Sequence, residues 1–293
     1  MKLRKGLGLG LMTVGAITGG FAVERPADAF VVHNGWNYSI DTYNDSTPFD
    51  ANGNGLYEIF GTAYRVVDDT VTVAISSNVN LENGVDSLSA EDGKVHFADI
   101  LLNFTGKSLD ETNGELFGIH FAANNDSGVS ELGIYSNVTA TSVSDINSGW
   151  NSLQEYNDSV LGNGVTPKIG DLVYDDSYFD LDQATPTSIS LGTKIGDIEF
   201  ISNVNSLGLD FDFFGNAGSE LIAFTFDKGL LPTGKALYHL AMECNNDMLA
   251  GHYESFSDHP NEVPTPAMIL PAILGMFGAA SRKKNDSAEC SGF

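Results

Sequence analysis

The residues best spaced to do chemistry are Asp50, Asn52, Asn54 and Glu58, in the string DANGNGLYE. Oxygens at the first, third and fifth positions of such a loop converge when a glycine at the sixth, here Gly55, lets the chain turn sharply. Carboxylate and amide oxygens suit a hard cation, so the spacing points to calcium, with the acid at position nine, Glu58, able to complete the shell. The twelfth position is Gly61, so the bidentate glutamate of a full EF-hand loop is missing. The same residues also read as a Gly/Asn turn ahead of a strand near Tyr57, and both readings stand at this level. No other cofactor is implied. The sequence carries no G-x-S-x-G, no P-loop, and no G-x-G-x-x-G in a βαβ setting.

The six histidines show no metal-ligand spacing such as H-E-x-x-H. His239 with Cys244 and Asp247 could be drawn as a soft-metal site, but a satisfied strand histidine fits better. Acid pairs occur at Asp68–Asp69, Asp175–Asp176 and Asp210/Asp212. A glycosidase needs two carboxyls about 5 to 9.5 Å apart in a cleft. With 39 acidic residues in the chain, such pairs arise by chance. Of the two cysteines, Cys244 and Cys290, the first reads as a small buried hydrophobe.

The net charge is -25 over 293 residues, and the basic residues crowd the two ends. Removing both ends takes away seven of the 14 Lys and Arg but only four of the 39 acids, leaving a body of about -28. Such a surface repels nucleic acid and anionic lipid, which excludes DNA or RNA as a partner. It attracts divalent cations and basic partners.

The ends themselves are address labels. Met1 is followed by a basic segment with Lys2, Arg4 and Lys5, then by the uncharged run GLGLGLMTVGAITGGF. Ala27-Asp28-Ala29 places small residues where a signal peptidase reads them, so cleavage is expected before Phe30. At the other end, Pro264-Thr265-Pro266-Ala267 precedes the apolar run MILPAILGMFGAA and the basic cluster Arg282-Lys283-Lys284. At about 1.5 Å per residue, residues Ala267 to Ala280 reach about 21 Å, short of a hydrocarbon core of roughly 30 Å. That suits a transient hold in the inner membrane, with the basic cluster kept cytoplasmic. The order of motif, apolar run and basic cluster resembles the PEP-CTERM sorting signals, here in a PTPA variant. The resemblance implies signal peptidase and an exosortase as partners during maturation.

Between the two ends, apolar residues alternate at period two, the mark of half-buried strands. Trp36, Tyr38 and Ile40 do so, as do Val71, Val73 and Ile75, then Phe117, Ile119 and Phe121, then Ile222, Phe224 and Phe226. Residues 94–104, KVHFADILLNF, are apolar on both faces and read as one central strand, and residues 196–204 as another strand. Asn-Gly and Asp-Gly pairs at 52–55, 83–84, 92–93, 113–114 and 163–164 supply the positive φ that tight turns need. A single short helix is expected over residues 149–156, with Trp150, Leu153 and Tyr156 on one face. Glycine, at 32 of 293 residues, is enriched over the usual ~7%, which fits many turns. The expected fold is therefore all-β, an antiparallel β-sandwich-like body. The expected organisation is a signal peptide (1–29), a β-rich surface domain (30–262), a sorting signal with a short transmembrane helix (263–284) and a cytoplasmic tail (285–293).

The body carries a second resemblance, in NFTGK, ELGIYSNVTATSV, GTKIGDIEF, SLGLDFDFFG, FDKGLLPTG and ECNND, in that order between Asn103 and Asp247. These stretches resemble the XDD family of exosortase-dependent surface proteins, described mainly from cyanobacteria. The resemblance implies location and architecture and carries no activity. Three functions follow as expectations. The first is an exported, non-catalytic surface or extracellular-matrix protein. The second is a calcium-dependent module that binds an extracellular polysaccharide or a cell. The third is a secreted hydrolase.

Overall fold

Period-two alternation builds strands because successive side chains point to opposite faces, and nearly every alternating run of this sequence is one. The structure is a computed structural model that describes residues 31–215 and 217–255. The expected signal-peptidase site at Ala27, Ala29 and Phe30 lies outside the described residues. So do the sorting motif Pro264, Thr265, Pro266 and Ala267, the basic stop Arg282, Lys283 and Lys284, and residues 285–293. Among the described residues, no helix is long and apolar enough to cross a membrane.

The strands in chain order are β1 (Val31–His33), β2 (Trp36–Ile40), β3 (Ile59–Val67), β4 (Thr70–Ser77), β5 (Val85–Asp86), β6 (Lys94–Val95), β7 (Ile100–Asn103) and β8 (Leu116–His120). They continue as β9 (Gly133–Thr141), β10 (Lys168–Ile169), β11 (Leu172–Val173), β12 (Ser188–Gly196), β13 (Glu199–Phe200), β14 (Glu220–Asp227), β15 (Gly234–Ala241) and β16 (Met248–Ser255). One six-stranded sheet has the order β1-β2-β3-β4-β14-β13 and a second β12-β9-β8-β7-β15-β16, β5-β6 and β10-β11 form two-stranded ribbons, and every pairing is antiparallel. The all-β, antiparallel expectation therefore holds for the body.

The inner faces of the two sheets share one core. Ile59, Tyr64, Val71, Ile75 and Phe224 of the first pack with Ile100, Leu102, Ile119, Ile134 and Leu240 of the second. Both outer faces are covered as well. Phe211 and the 3-10 turn Phe211–Phe214 lie over Trp36, Tyr38, Ala63 and Ala74. The helix α1 (Leu153–Gly162) lays Leu153, Tyr156 and Val160 against Leu116, Val138, Ile189 and Met248. A sheet buried on both sides explains strand segments with little or no alternation, such as β7, whose four residues are all buried.

Three sequence expectations need correction. The helix begins at Leu153, because the Ser152 hydroxyl caps it by accepting from the Glu155 amide at 3.1 Å. Trp150 stays outside the helix, its indole donating to Thr47 Oγ1 at 2.9 Å. Residues 94–104 are not one strand. They form β6, a lone bridge between Phe97 and Met242, and β7. The break falls at Asp99, whose buried carboxylate takes hydrogen bonds from Ile189 N, Ser127 Oγ and Asn125 Nδ2 and is bonded to His120 Nδ1. A buried carboxylate needs that many partners. Residues 196–204 give only the end of β12 and the two-residue edge strand β13, both of whose residues are exposed.

Candidate functional site

The turn between β15 and β16 reads Glu243-Cys244-Asn245-Asn246-Asp247, and it binds residues at six distant places in the chain. Glu243 accepts from the amides of His96, at 2.6 Å, and Asp126. The Cys244 carbonyl accepts from the Trp150 amide at 3.1 Å, and the Asn245 amide group donates to the Thr185 carbonyl at 3.2 Å. The Asn246 carbonyl accepts from the Thr47 amide at 2.8 Å. Asp247 Oδ2 accepts from the Ile59 amide at 2.6 Å, at the start of β3. Asn245 sits at φ 54°, a left-handed conformation that asparagine tolerates in a tight turn. Gly149 passes so close that a Cβ there would stand 1.9 Å from the Cys244 carbonyl oxygen, so only glycine fits.

Beside this turn lies a group of buried carboxylates. One oxygen each of Asp41, Asp45 and Asp247 lies within 4.8 Å of the others. Asp41 and Asp45 come from the loop after β2, and Asp247 from the opposite sheet's hairpin. All three are buried, Asp45 and Asp247 completely. Glu58 is fully buried next to them, on the residue preceding β3.

Asp41, Asp45 and Glu58 share a pattern. One oxygen is anchored and the other is spare. Asp41 Oδ1 accepts from the amides of Thr42, at 2.9 Å, and Gly170, at 3.2 Å. Asp45 Oδ2 accepts from the Lys168 amide at 3.0 Å. Glu58 Oε2 accepts from the Ser46 hydroxyl at 2.7 Å. Asp41 Oδ2, Asp45 Oδ1 and Glu58 Oε1 are buried and have no hydrogen-bond partner among the described residues. Asp247 uses both oxygens, Oδ1 toward the Met248 amide at 2.8 Å.

Burial raises every pKa in the group, and acidic neighbours add to it for Asp41, Glu58 and Asp247. Burial pushes Asp45 up to about 7. Burial, with the Asp45 charge adding to it, pushes Glu58 up to about 8. Asp41 and Asp247 are pushed well above the ordinary carboxylate range by burial first and by their acidic neighbours second. Lys168, whose charge acts against the rise at Asp45, donates its ammonium to the Ile40 carbonyl at 2.7 Å from an exposed position. Such an arrangement either holds protons or holds a cation.

The residues singled out by the calcium spacing part company here. Asp50 Oδ1 accepts from the amides of Asn52, at 2.8 Å, and Asn54, at 3.4 Å, which closes an Asx-type turn at the surface. Asn52 and Asn54 are exposed. Glu58 instead faces inward, onto Ser46 and the aspartate group. Gly55 is required by close approach, since a Cβ there would stand 2.1 Å from the Ser46 hydroxyl oxygen. Asp41 and Asp45 were not singled out by the sequence, and Asp247 only beside His239 and Cys244. The usable signals were the D-x-x-x-D of residues 41–45 and acids in a hairpin turn with no basic residue beside them.

The other chemistry-bearing residues are structural. His239 Nε2 is 2.8 Å from the Pro186 carbonyl, the ring edge-on to Tyr178 and Phe179, and burial holds its pKa down at about 4. Cys244 is fully buried, which pushes its thiol up to about 12. No protein-family model matches the chain, and neither a curated protein nor a solved structure shows significant similarity to it.

Proposed function

We propose that the chain is an exported, exosortase-processed protein of the cell surface or extracellular matrix, whose β-sandwich-like body acts by display and contact and not by catalysis. The observation that carries this reading is the pairing of the two terminal address segments with a body in which Ser127, His120 and Asp99 are not ordered as a triad. Asp99 illustrates the point. A catalytic triad sets serine on histidine and histidine on the acid. Here the Ser127 hydroxyl donates to Asp99 Oδ2 at 2.8 Å while His120 holds Asp99 Oδ1, so serine and histidine share the acid. The net charge of -25 adds solubility and an affinity for cations or basic partners. The resemblance to XDD-type surface proteins supports the same location.

The test is mass spectrometry of the mature protein from fractionated cells. A surface or extracellular species starting at Phe30 and ending near Pro264 supports the reading. An intact chain found only in the cytoplasm refutes it.

A second reading, a calcium-dependent module that binds a glycan or a cell, is favoured by the buried carboxylate group. It predicts retention on extracellular polysaccharide in calcium and release by a chelator. A secreted hydrolase would instead depolymerise such glycans, with the activity lost on changing one carboxylate.

A further inference from the structure

We propose that Asp41, Asp45, Glu58 and Asp247 form a buried site for one hard divalent cation, calcium by preference, which locks the loop of residues 41–58 onto the turn between β15 and β16. The geometry carries it. Oxygens on opposite sides of an ion bound at about 2.4 Å stand about 4.8 Å apart, and those of Asp41, Asp45 and Asp247 all lie within 4.8 Å of one another.

A cluster of acids alone would say little. Glu58 adds a separate observation, because it stands at the far end of the 41–58 loop, next to β3, is fully buried, and has Oε1 without a partner beside that cluster. Asp41 Oδ2 and Asp45 Oδ1 are stranded in the same way. An unpaired buried carboxylate oxygen is costly, so three of them in one place need a common partner. The opposite oxygens are fixed by the backbone amides of Gly170 and Lys168 and by the Ser46 hydroxyl, which is how outer hydrogen bonds orient metal ligands. The donors are oxygen only, which selects against zinc and copper. They come from separate chain segments, and calcium tolerates such irregular shells better than magnesium does.

The proposal does not depend on export, so it can fail while the surface reading stands. The test uses the full chain, stripped with a chelator and dialysed against Ca²⁺ at pH 7.5. One calcium per chain is expected by elemental analysis, with a rise in thermal midpoint of about 5–10 °C at a hundredfold excess over Kd. Asp45→Asn and Glu58→Gln should each weaken binding at least tenfold, whereas Asp50→Asn should bind like the parent. No calcium bound by the parent at millimolar concentration, with no midpoint shift, would overturn the site as a cation site and leave a protonated carboxyl cluster. Loss of binding in Asp50→Asn with retention in Glu58→Gln would move calcium to the surface loop and equally overturn the proposal. The parent's own stoichiometry decides the matter even if a variant does not fold.

Discussion

Asp247 Oδ2 accepts the backbone N–H of Ile59 at 2.6 Å, joining two residues 188 positions apart. The bond fixes the first residue of β3 in one sheet to the hairpin turn of the other. With Oδ1 on the Met248 amide at 2.8 Å, one carboxylate satisfies two buried donors.

Replacing Asp247 with alanine strands both amides. At ~1–3 kcal/mol for each buried group left unsatisfied, Asp247→Ala should lose about 2–5 kcal/mol in urea unfolding of the chelator-treated chain. Asp247→Asn keeps one acceptor and should fall between. A loss under about 0.5 kcal/mol for the alanine variant would show that water replaces the carboxylate.

Stability of the metal-free chain should fall as pH rises. Glu58 and Asp45 have folded-state pKa values raised to about 8 and about 7, so the folded chain binds protons more tightly than the unfolded one. Their cost is absent at acidic pH and grows until pH passes the folded values. His239, held down at about 4, acts in the opposite direction, but only below its ordinary value of about 6.5. The clean window is therefore pH 6.5 to 8.5. Glu243, raised to about 8 by burial, contributes in the same window with the same sign, so Glu243→Gln serves as the background for the measurement. The midpoint should drop by on the order of 5 °C across the window, and saturating calcium should flatten the slope. A midpoint that rises over that range would contradict the folded-state pKa values.

Two glycines should differ sharply. In Gly149→Ala the new Cβ meets the Cys244 carbonyl at 1.9 Å, backbone against backbone, so the cost should be at least about 3 kcal/mol. In Gly93→Ala nothing lies within 4 Å and only the φ of +83° opposes the side chain, a cost of about 1–2 kcal/mol. Equal midpoints for the two variants would show that the turn of residues 243–247 can move aside.

Changing Pro264, Thr265 and Pro266 together to alanine should leave an inner-membrane species that keeps its tail. On the proposed sorting signal, Lys or Arg at mid-membrane costs at least about 2.5 kcal/mol each, so the basic cluster would still halt the chain while a sorting enzyme would lose its motif. Normal processing of that variant, read by intact mass, would reduce the motif to a linker.

Four of the strands were legible in the sequence as period-two runs. The alternation at Trp36–Tyr38–Ile40 became β2, and the runs at Val71, Phe117 and Ile222 fall in β4, β8 and β14. Period two is a local property, set by backbone geometry within a few residues, so it survives without knowledge of neighbours. Where a buried acid interrupts the pattern, as Asp99 does between β6 and β7, periodicity alone overran the break. The calcium spacing identified Glu58 but grouped it with Asp50, because sequence spacing measures distance along the chain. Tertiary structure turned Glu58 inward onto Ser46 and brought Asp41 and Asp45 to Asp247 from the far end of the body. Only the packing of two sheets decides which loops meet, and only their burial makes four carboxylates share protons or a cation.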